Sequence, residues 1–290
     1  MFGFLNVNKP VGPTSHDAVY QVRRQLPRKT KVGHAGTLDP LADGVLIVCV
    51  GPATRLADYV QRAPKTYRTQ ITLGATSTTD DREGEITCQS DAEPPIGDVV
   101  AAAAEFVGSV DQIPPAHSAV HIMGRRAYDL ARAGEQFDIP PRKVTIHGIE
   151  VLRYEWPTLD IQVRCGSGTY IRSIARDIGA RLGVGGYCRT LTRTAVGAFT
   201  LDAAVPLHEA DPEQHLVTPL LALTGFERVV VSPWQEDRLR RGQFIDNPLA
   251  DEQTPGDLAA VDEAGRLIAL LKLRRPRKLG GRPVFETGAN

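Results

Sequence analysis

Chemistry in this chain concentrates in one stretch, Val32-Gly33-His34-Ala35-Gly36-Thr37-Leu38-Asp39-Pro40-Leu41-Ala42-Asp43-Gly44, with a histidine and two aspartates inside ten residues. It runs directly into the apolar Val45-Leu46-Ile47-Val48-Cys49-Val50. A polar, glycine-bounded loop fixed to a buried strand gives a reactive group a rigid mount. Pro40 removes an amide and biases Asp39 toward extended backbone. A carboxylate held this way can serve as nucleophile or base. On residue type alone, though, a turn-forming Asp-Pro is the commoner explanation. The His34 ring can stack on a nucleobase or hydrogen-bond a phosphate, and Asp43-Gly44 reads as the turn into the strand. A metal site of His34, Asp39 and Asp43 is the weaker alternative: the spacing fits no helix-borne ligand pair and no second cluster completes it.

Two more positions could join this chemistry. Lys65-Thr66-Tyr67-Arg68-Thr69-Gln70-Ile71-Thr72-Leu73 alternates, which predicts a strand with Tyr67, Thr69, Ile71 and Leu73 on one face. Tyr67 is then a core tyrosine or, at the strand's start, one whose hydroxyl emerges beside a pocket. Arg172 follows the turn Gly166-Ser167-Gly168 at the head of a predicted helix with the stripe Ile171, Ile174, Ala175, Ile178 and Leu182. A helix N-terminus favours anions, so an arginine there needs a carboxylate or phosphate partner, for which Asp81 and Asp39 are candidates. The glycine run does not complete G-x-G-x-x-G, since Ile171 stands at the last position, so a dinucleotide site is not indicated.

The elements that must position these groups follow from pattern. A strand over 4–7 turns into a helix capped by Thr14 or Ser15, with Ala18, Val19, Val22 and Leu26 at helical spacing and Pro27 as its stop. A short helix spans 54–62 and a polar loop 77–84. Asp98 reads as the cap of a helix running to Phe106 and ended by Gly108. Residues 112–142 are less regular and form a surface excursion of the kind that carries binding. Strands resume over 144–152 and 159–165, and a later one over 187–197 has arginines at alternating positions. Patterning weakens over 203–226, placing a domain boundary near 222. Beyond it, residues 228–290 read as a small α/β unit: a strand at 229–231, a helix from Ser232-Pro233 to Arg241, and a hairpin of 258–261 and 267–273.

With 290 residues, 42% of them hydrophobic, the chain can hold one large and one small domain. Formal net charge is zero, yet Arg23, Arg24, Arg28, Lys29 and Lys31 form one basic cluster, and Lys272, Arg274, Arg275, Arg277, Lys278 and Arg282 another. Such patches, rather than net charge, make the electrostatic footprint of a nucleic-acid binder. Cys49, Cys88, Cys165 and Cys188 form no C-x-x-C pair, which argues against zinc. No signal-peptide pattern and no membrane-length apolar run are present, pointing to the cytoplasm.

Taken together, these residues give the chain a resemblance to the bacterial TruB family of tRNA pseudouridine synthases along nearly its whole length. The segment from Asn8-Lys9-Pro10 to His16-Asp17 resembles the family's opening, and 33–46 is similar to its catalytic motif. Lys65-Thr66-Tyr67-Arg68 with Leu73-Gly74, and Gly168-Thr169-Tyr170-Ile171-Arg172-Ser173 with Ile178-Gly179, resemble two further motifs. Residues 114–119 and 124–132 are similar to an RNA-clasping insertion of about 112–142, with His117 where an aromatic such as Tyr is expected. The resemblance implies an α+β fold, a mixed and largely antiparallel sheet flanked by helices. It also implies a catalytic domain over 1–222 and a C-terminal PUA-like RNA-binding domain over 228–290. The implied activity is isomerisation of uridine 55 in the tRNA T-loop, by an isomerase that flips its target base, needs no cofactor or metal, and acts as a monomer without obligate protein partner. Asp39 is the implied nucleophile, through sugar C1′ or base C6, and Arg172 its charge partner, held in turn by Asp81. Tyr67 packs on the base and moves a proton, and Leu191 forms an apolar wall. His34 aids flipping, Lys9 completes the substrate-binding set, and the basic clusters hold the T-arm stem–loop. The same cleft would serve tRNA folding.

Overall fold

Ten strands from residues 3–206 hydrogen-bond into one sheet in the computed structural model, which describes residues 1–118, 120–122, 124–134, 137–247, 257–275 and 278–285. Arg277, expected in the second basic cluster, and Ala119, expected in the clasp, lie outside the described residues, as do the side chains of Arg274, Arg275 and Arg282. The main strand order is Val205–Pro206, Gly3–Lys9, Ala42–Val50, Gly186–Val196, Lys65–Leu73, Thr158–Cys165, Arg142–Glu155 and Gly108–Gln112. Only two of its pairings are parallel: Gly3–Lys9 with Val205–Pro206, and Ala42–Val50 with Gly186–Val196. The second sets Leu191 opposite Ala42, Thr192 opposite Asp43 and Arg193 opposite Gly44, so the strand carrying Leu191 abuts the end of the Asp39 loop.

The unbroken apolar run 45–50 is explained by burial on both sides. Leu46, Val48 and Val50 enter one core, while Val45, Ile47 and Cys49 enter a second. Helix Ser15–Arg23 begins at Thr14 in a capping box with Asp17 and buries Ala18, Val19 and Val22 in the first core. Helix Ile171–Arg181 buries Ile171, Ile174, Ala175 and Ile178 there as well. Its Gly179 touches the Gly185-Gly186 backbone so closely that a Cβ would overlap that peptide. This contact sets the helix against the strand of Leu191.

The second core continues into a five-stranded sheet, ordered Arg228–Val230, Leu258–Val261, Leu267–Arg275, Lys278–Val284 and Phe244–Asp246. Ala259, Val261, Leu267, Leu270 and Phe285 pack with Phe4, Ile47, Val196 and Leu220. Phe285 stacks on Phe2 with ring centroids 5.0 Å apart, and the Tyr59 hydroxyl donates to Asp257 at 3.1 Å. Helix Pro233–Arg240 is capped by Ser232 with Pro233 in its first turn. Among the described residues no helix is long and apolar enough to cross a membrane.

Local readings are revised in three places. Asp98 is not a cap: helix Ile96–Ala104 starts after Pro95, and Asp98 sits in its first turn, where its charge suits the helix N-terminus. Asp43-Gly44 is not a turn but part of strand Ala42–Val50. The turn falls earlier, where the Ala42 N–H donates to the Asp39 carbonyl at 3.1 Å. Gly44 is in the strand because its φ of +100° lets the Arg193 backbone approach to a point that a Cβ would occupy. Strands Phe244–Asp246 and Lys278–Val284 carry no alternating signal, the first being short and the second interrupted by Gly280, Gly281 and Pro283. Gly179→Ala is expected to cost about 1–3 kcal/mol through overpacking, read as a lower urea midpoint with unchanged slope.

Candidate active site

The Asp39 loop is tied down on all sides. Buried Ser15 both donates to the Leu38 carbonyl at 2.9 Å and accepts from the Leu38 N–H at 2.8 Å. The Gly12 N–H donates to the Pro40 carbonyl at 2.8 Å, and the Ala35 N–H to the Ile47 carbonyl at 2.9 Å. With the backbone fixed, the Asp39 carboxylate stays partly open, its side chain 36% exposed.

Arg172 meets it from the first turn of helix Ile171–Arg181. Its Nη2 lies 2.8 Å from Asp39 Oδ2, and its Nη1 3.0 Å from Asp81 Oδ2. The guanidinium also donates to the carbonyls of Thr79 at 3.3 Å and His117 at 3.1 Å. Asp81 is nearly inaccessible, 3% exposed, and accepts at Oδ1 from the Thr79 hydroxyl at 2.6 Å and the Glu83 N–H at 3.0 Å. Burial works against the charge on Arg172, but Asp39 and Asp81 outweigh it and leave its pKa raised. The arginine is therefore a permanent cation facing Asp39. The loop of Asp81 is in turn stitched to the Leu191 strand: the Cys188 N–H donates to the Asp80 carbonyl at 3.0 Å, and the Arg82 N–H to the Cys188 carbonyl at 3.1 Å. One turn along the helix, Arg176 repeats the arrangement with Asp80 at 2.8 Å. The start of the 112–142 segment is latched to the same helix, because Ser173 and Arg176 both donate to the Ile113 carbonyl, at 2.8 and 2.9 Å.

Tyr67 is half-buried against the first core, on the strand next to that of Leu191, and Leu191 is 7% exposed. Burial raises the Tyr67 pKa, and the nearby Arg193 cation opposes the rise. His34 lies at the start of the loop. Burial, then Arg193, then His16 lower its pKa, so the ring is neutral at pH 7 and suits contact with a base better than with a phosphate. Its Nδ1 is buried with no partner among the described residues.

Lys9 differs from its expected part. It is fully buried, and its ammonium donates to the carbonyls of Pro10 at 2.8 Å and Pro13 at 2.9 Å. A lysine so placed braces the turn beside the loop instead of reaching a substrate. His117 likewise acts through its backbone carbonyl, on Arg172. Two residues not singled out from sequence also belong here: Arg193, buried below the loop, and Lys65, 7% exposed, whose ammonium donates to the Gln61 carbonyl. Charged residues are seldom fully buried, so residue type marks neither as part of the site.

Known structures share this architecture. A crystal structure of a Cbf5-Nop10-Gar1 complex superposes with a TM-score of 0.73 at 25% identity, covering 98% of this chain and 84% of that one. An H/ACA RNP bound to a substrate RNA containing 2′-deoxyuridine gives 0.74 at 23% identity. The mixed sheet, its helices and the curled C-terminal sheet make this the pseudouridine-synthase fold. Residues 23–171 match the family described as TruB family pseudouridylate synthase (N terminal domain). Proteins named tRNA pseudouridine synthase B are similar over nearly full length. That of Corynebacterium efficiens is 40% identical over 96% of this chain and 97% of its own, and that of Leifsonia xyli subsp. xyli 42% over 94% and 93%. The chain belongs to the TruB family of pseudouridylate synthases and is a pseudouridine synthase, an isomerase.

Lys65 gives the site a measurable pH signature. Burial, then the Arg193 cation, lower its ammonium from 10.5 to about 8, with Cys165 opposing. Between those values the unfolded chain binds a proton that the folded chain does not, so this residue's contribution to stability rises with pH across that window. Denaturant titrations should show wild type gaining on Lys65→Met as pH climbs from about 8 toward 10.5. A gap that stays constant would contradict the burial of an ammonium here.

Proposed function

We propose that the protein isomerises uridine 55 in the T-loop of tRNA to pseudouridine, with Asp39 as nucleophile. The observation that carries this reading is the contact of Arg172 with Asp39 at 2.8 Å while Asp81 holds its other side. The choice of tRNA is supported by the names of the relatives, 40–42% identical across nearly their whole length.

The reaction breaks the C1′–N1 bond, turns the base, and forms a C1′–C5 bond. N1 gains a proton and C5 loses one, so the product is an isomer and no redox partner enters. Between those events the base and sugar must stay together, and a carboxylate nucleophile at C1′ or at C6 achieves that. Arg172 sets a positive charge against the carboxylate. Tyr67 packs on the base and moves the C5 proton, and Leu191 closes the apolar side. The neutral His34 ring helps lift the uridine out of the T-loop stack, a step costing a few kcal/mol. In this reading residues 1–222 are the catalytic domain, 112–142 clasp the RNA, and 228–290 form a PUA-like RNA-binding domain. The Arg23–Lys31 cluster holds the T-arm through its phosphates and shape. The enzyme works as a cytoplasmic monomer without a cofactor, and the cleft that grips the T-arm also assists tRNA folding.

Asp39→Asn is nearly isosteric and removes only the charge and the nucleophile. It should abolish pseudouridine formation in a T-arm stem–loop RNA while RNA affinity and any folding assistance survive. Turnover near the wild-type rate would sink the assignment.

A further inference from the structure

Strand Gly186–Val196 does more than present Leu191. Its Arg193 is 2% exposed and runs beneath the Asp39 loop. Nε donates to the Val45 carbonyl at 2.7 Å, Nη1 to Thr37 at 3.0 Å and Nη2 to Gly36 at 3.2 Å. Gly36 and Thr37 precede Asp39 in the loop, and Val45 stands in the strand after it. One planar group therefore joins both limbs of the turn that carries the carboxylate. Lysine, with a single nitrogen on a flexible stem, cannot span three carbonyls in this way.

Two further features mark this arrangement as built for the loop. Among the described residues Arg193 has no ion-pair partner, although a buried cation ordinarily takes a carboxylate. Its charge is met instead by main-chain dipoles of the loop. The backbone also makes room for it, since Gly44, directly opposite Arg193, adopts a φ of +100° and a Cβ there would overlap the Arg193 carbonyl. The charge is felt by the neighbouring groups. After burial itself, Arg193 helps lower the pKa of His34 and Lys65, and it opposes the burial-driven rise at Tyr67.

We propose that Arg193 is the positioning residue of this active site, clamping the carbonyls of Gly36, Thr37 and Val45 so that the Asp39 carboxylate meets the flipped uridine at one fixed geometry. It grips the main chain of the loop and also hydrogen-bonds the Tyr67 hydroxyl, but does not contact Asp39, which separates its role from that of Arg172. The proposal rests on Asp39 being the nucleophile for uridine isomerisation.

The test is single-turnover and steady-state kinetics of the full chain on a T-arm stem–loop RNA, with melting curves run in parallel. Arg193→Lys keeps the charge and loses the fork. It should fold, bind the RNA with unchanged KM, and turn over roughly 100-fold more slowly, the scale on which an ångström of misplacement acts. A residue that served folding alone would lower the melting temperature and leave kcat of the folded fraction at the wild-type value; that result overturns the proposal. Should Arg193→Lys fail to fold, Gly36→Ala provides the second variant. Gly36 has a φ of +107°, and a Cβ there would lie 4.0 Å from Arg193 Nη1, an ordinary contact, so alanine strains the clamped turn without pushing Arg193 away. Here too kcat should fall with KM unchanged, and an unaltered kcat would overturn the proposal. Wild-type protein that forms no pseudouridine on this RNA would instead defeat the underlying functional reading, so the two failures are told apart.

Discussion

A buried guanidinium between two aspartates is the constraint around which the rest of the structure is arranged. Removing an arginine from water costs several kcal/mol, on the order recovered only when geometry is good and every donor is occupied. At Arg172 both terminal nitrogens are occupied, Nη2 by Asp39 and the His117 carbonyl and Nη1 by Asp81 and the Thr79 carbonyl. The two carboxylates are not equivalent. Asp81 is locked by the Thr79 hydroxyl and the Glu83 N–H, whereas Asp39 keeps one side open. The inner aspartate therefore orients the arginine, and the arginine sets its positive charge against the half-open Asp39 carboxylate.

Meeting that constraint requires three distant segments to converge, and the sheet accomplishes it. The short parallel pairing of Ala42–Val50 with Gly186–Val196 brings the Asp39 loop to the strand of Leu191 and Arg193. The bridge at Cys188 ties in the Asp81 loop, and the close approach of Gly179 to Gly185-Gly186 sets the Arg172 helix on the same strand. Strand Ala42–Val50, enclosed between two cores, gives the Asp39 loop a stiff mount. The C-terminal sheet completes the second of those cores, so it supports the mount from the side away from the arginine.

Much of this organisation is legible from residue pattern. The alternation of 65–73 gives a strand with the expected faces, Thr14 with Asp17 gives a helix start, and the apolar run at 45–50 gives a buried strand. What pattern could not supply is the meaning of charge inside strands. Arg193 and Lys65 are of residue types seldom fully buried, and only tertiary packing reveals the carbonyls waiting for them. Asp43-Gly44 read as a turn for a similar reason: its glycine answers to a neighbouring strand and not to a chain reversal. Asp39 itself is ambiguous by type. Its distinction from any other Asp-Pro lies in partners far along the chain, which the family resemblance brought together and of which the fold brings Arg172 to 2.8 Å.

In the proposed function this loop presents its carboxylate to a single flipped uridine. The most direct measurement is nucleotide-resolution mapping of pseudouridine in an unmodified tRNA transcript after incubation with the purified protein, without added metal or cofactor. Conversion is expected at uridine 55 and at no other uridine. Conversion elsewhere with uridine 55 untouched, or none at all, would contradict it.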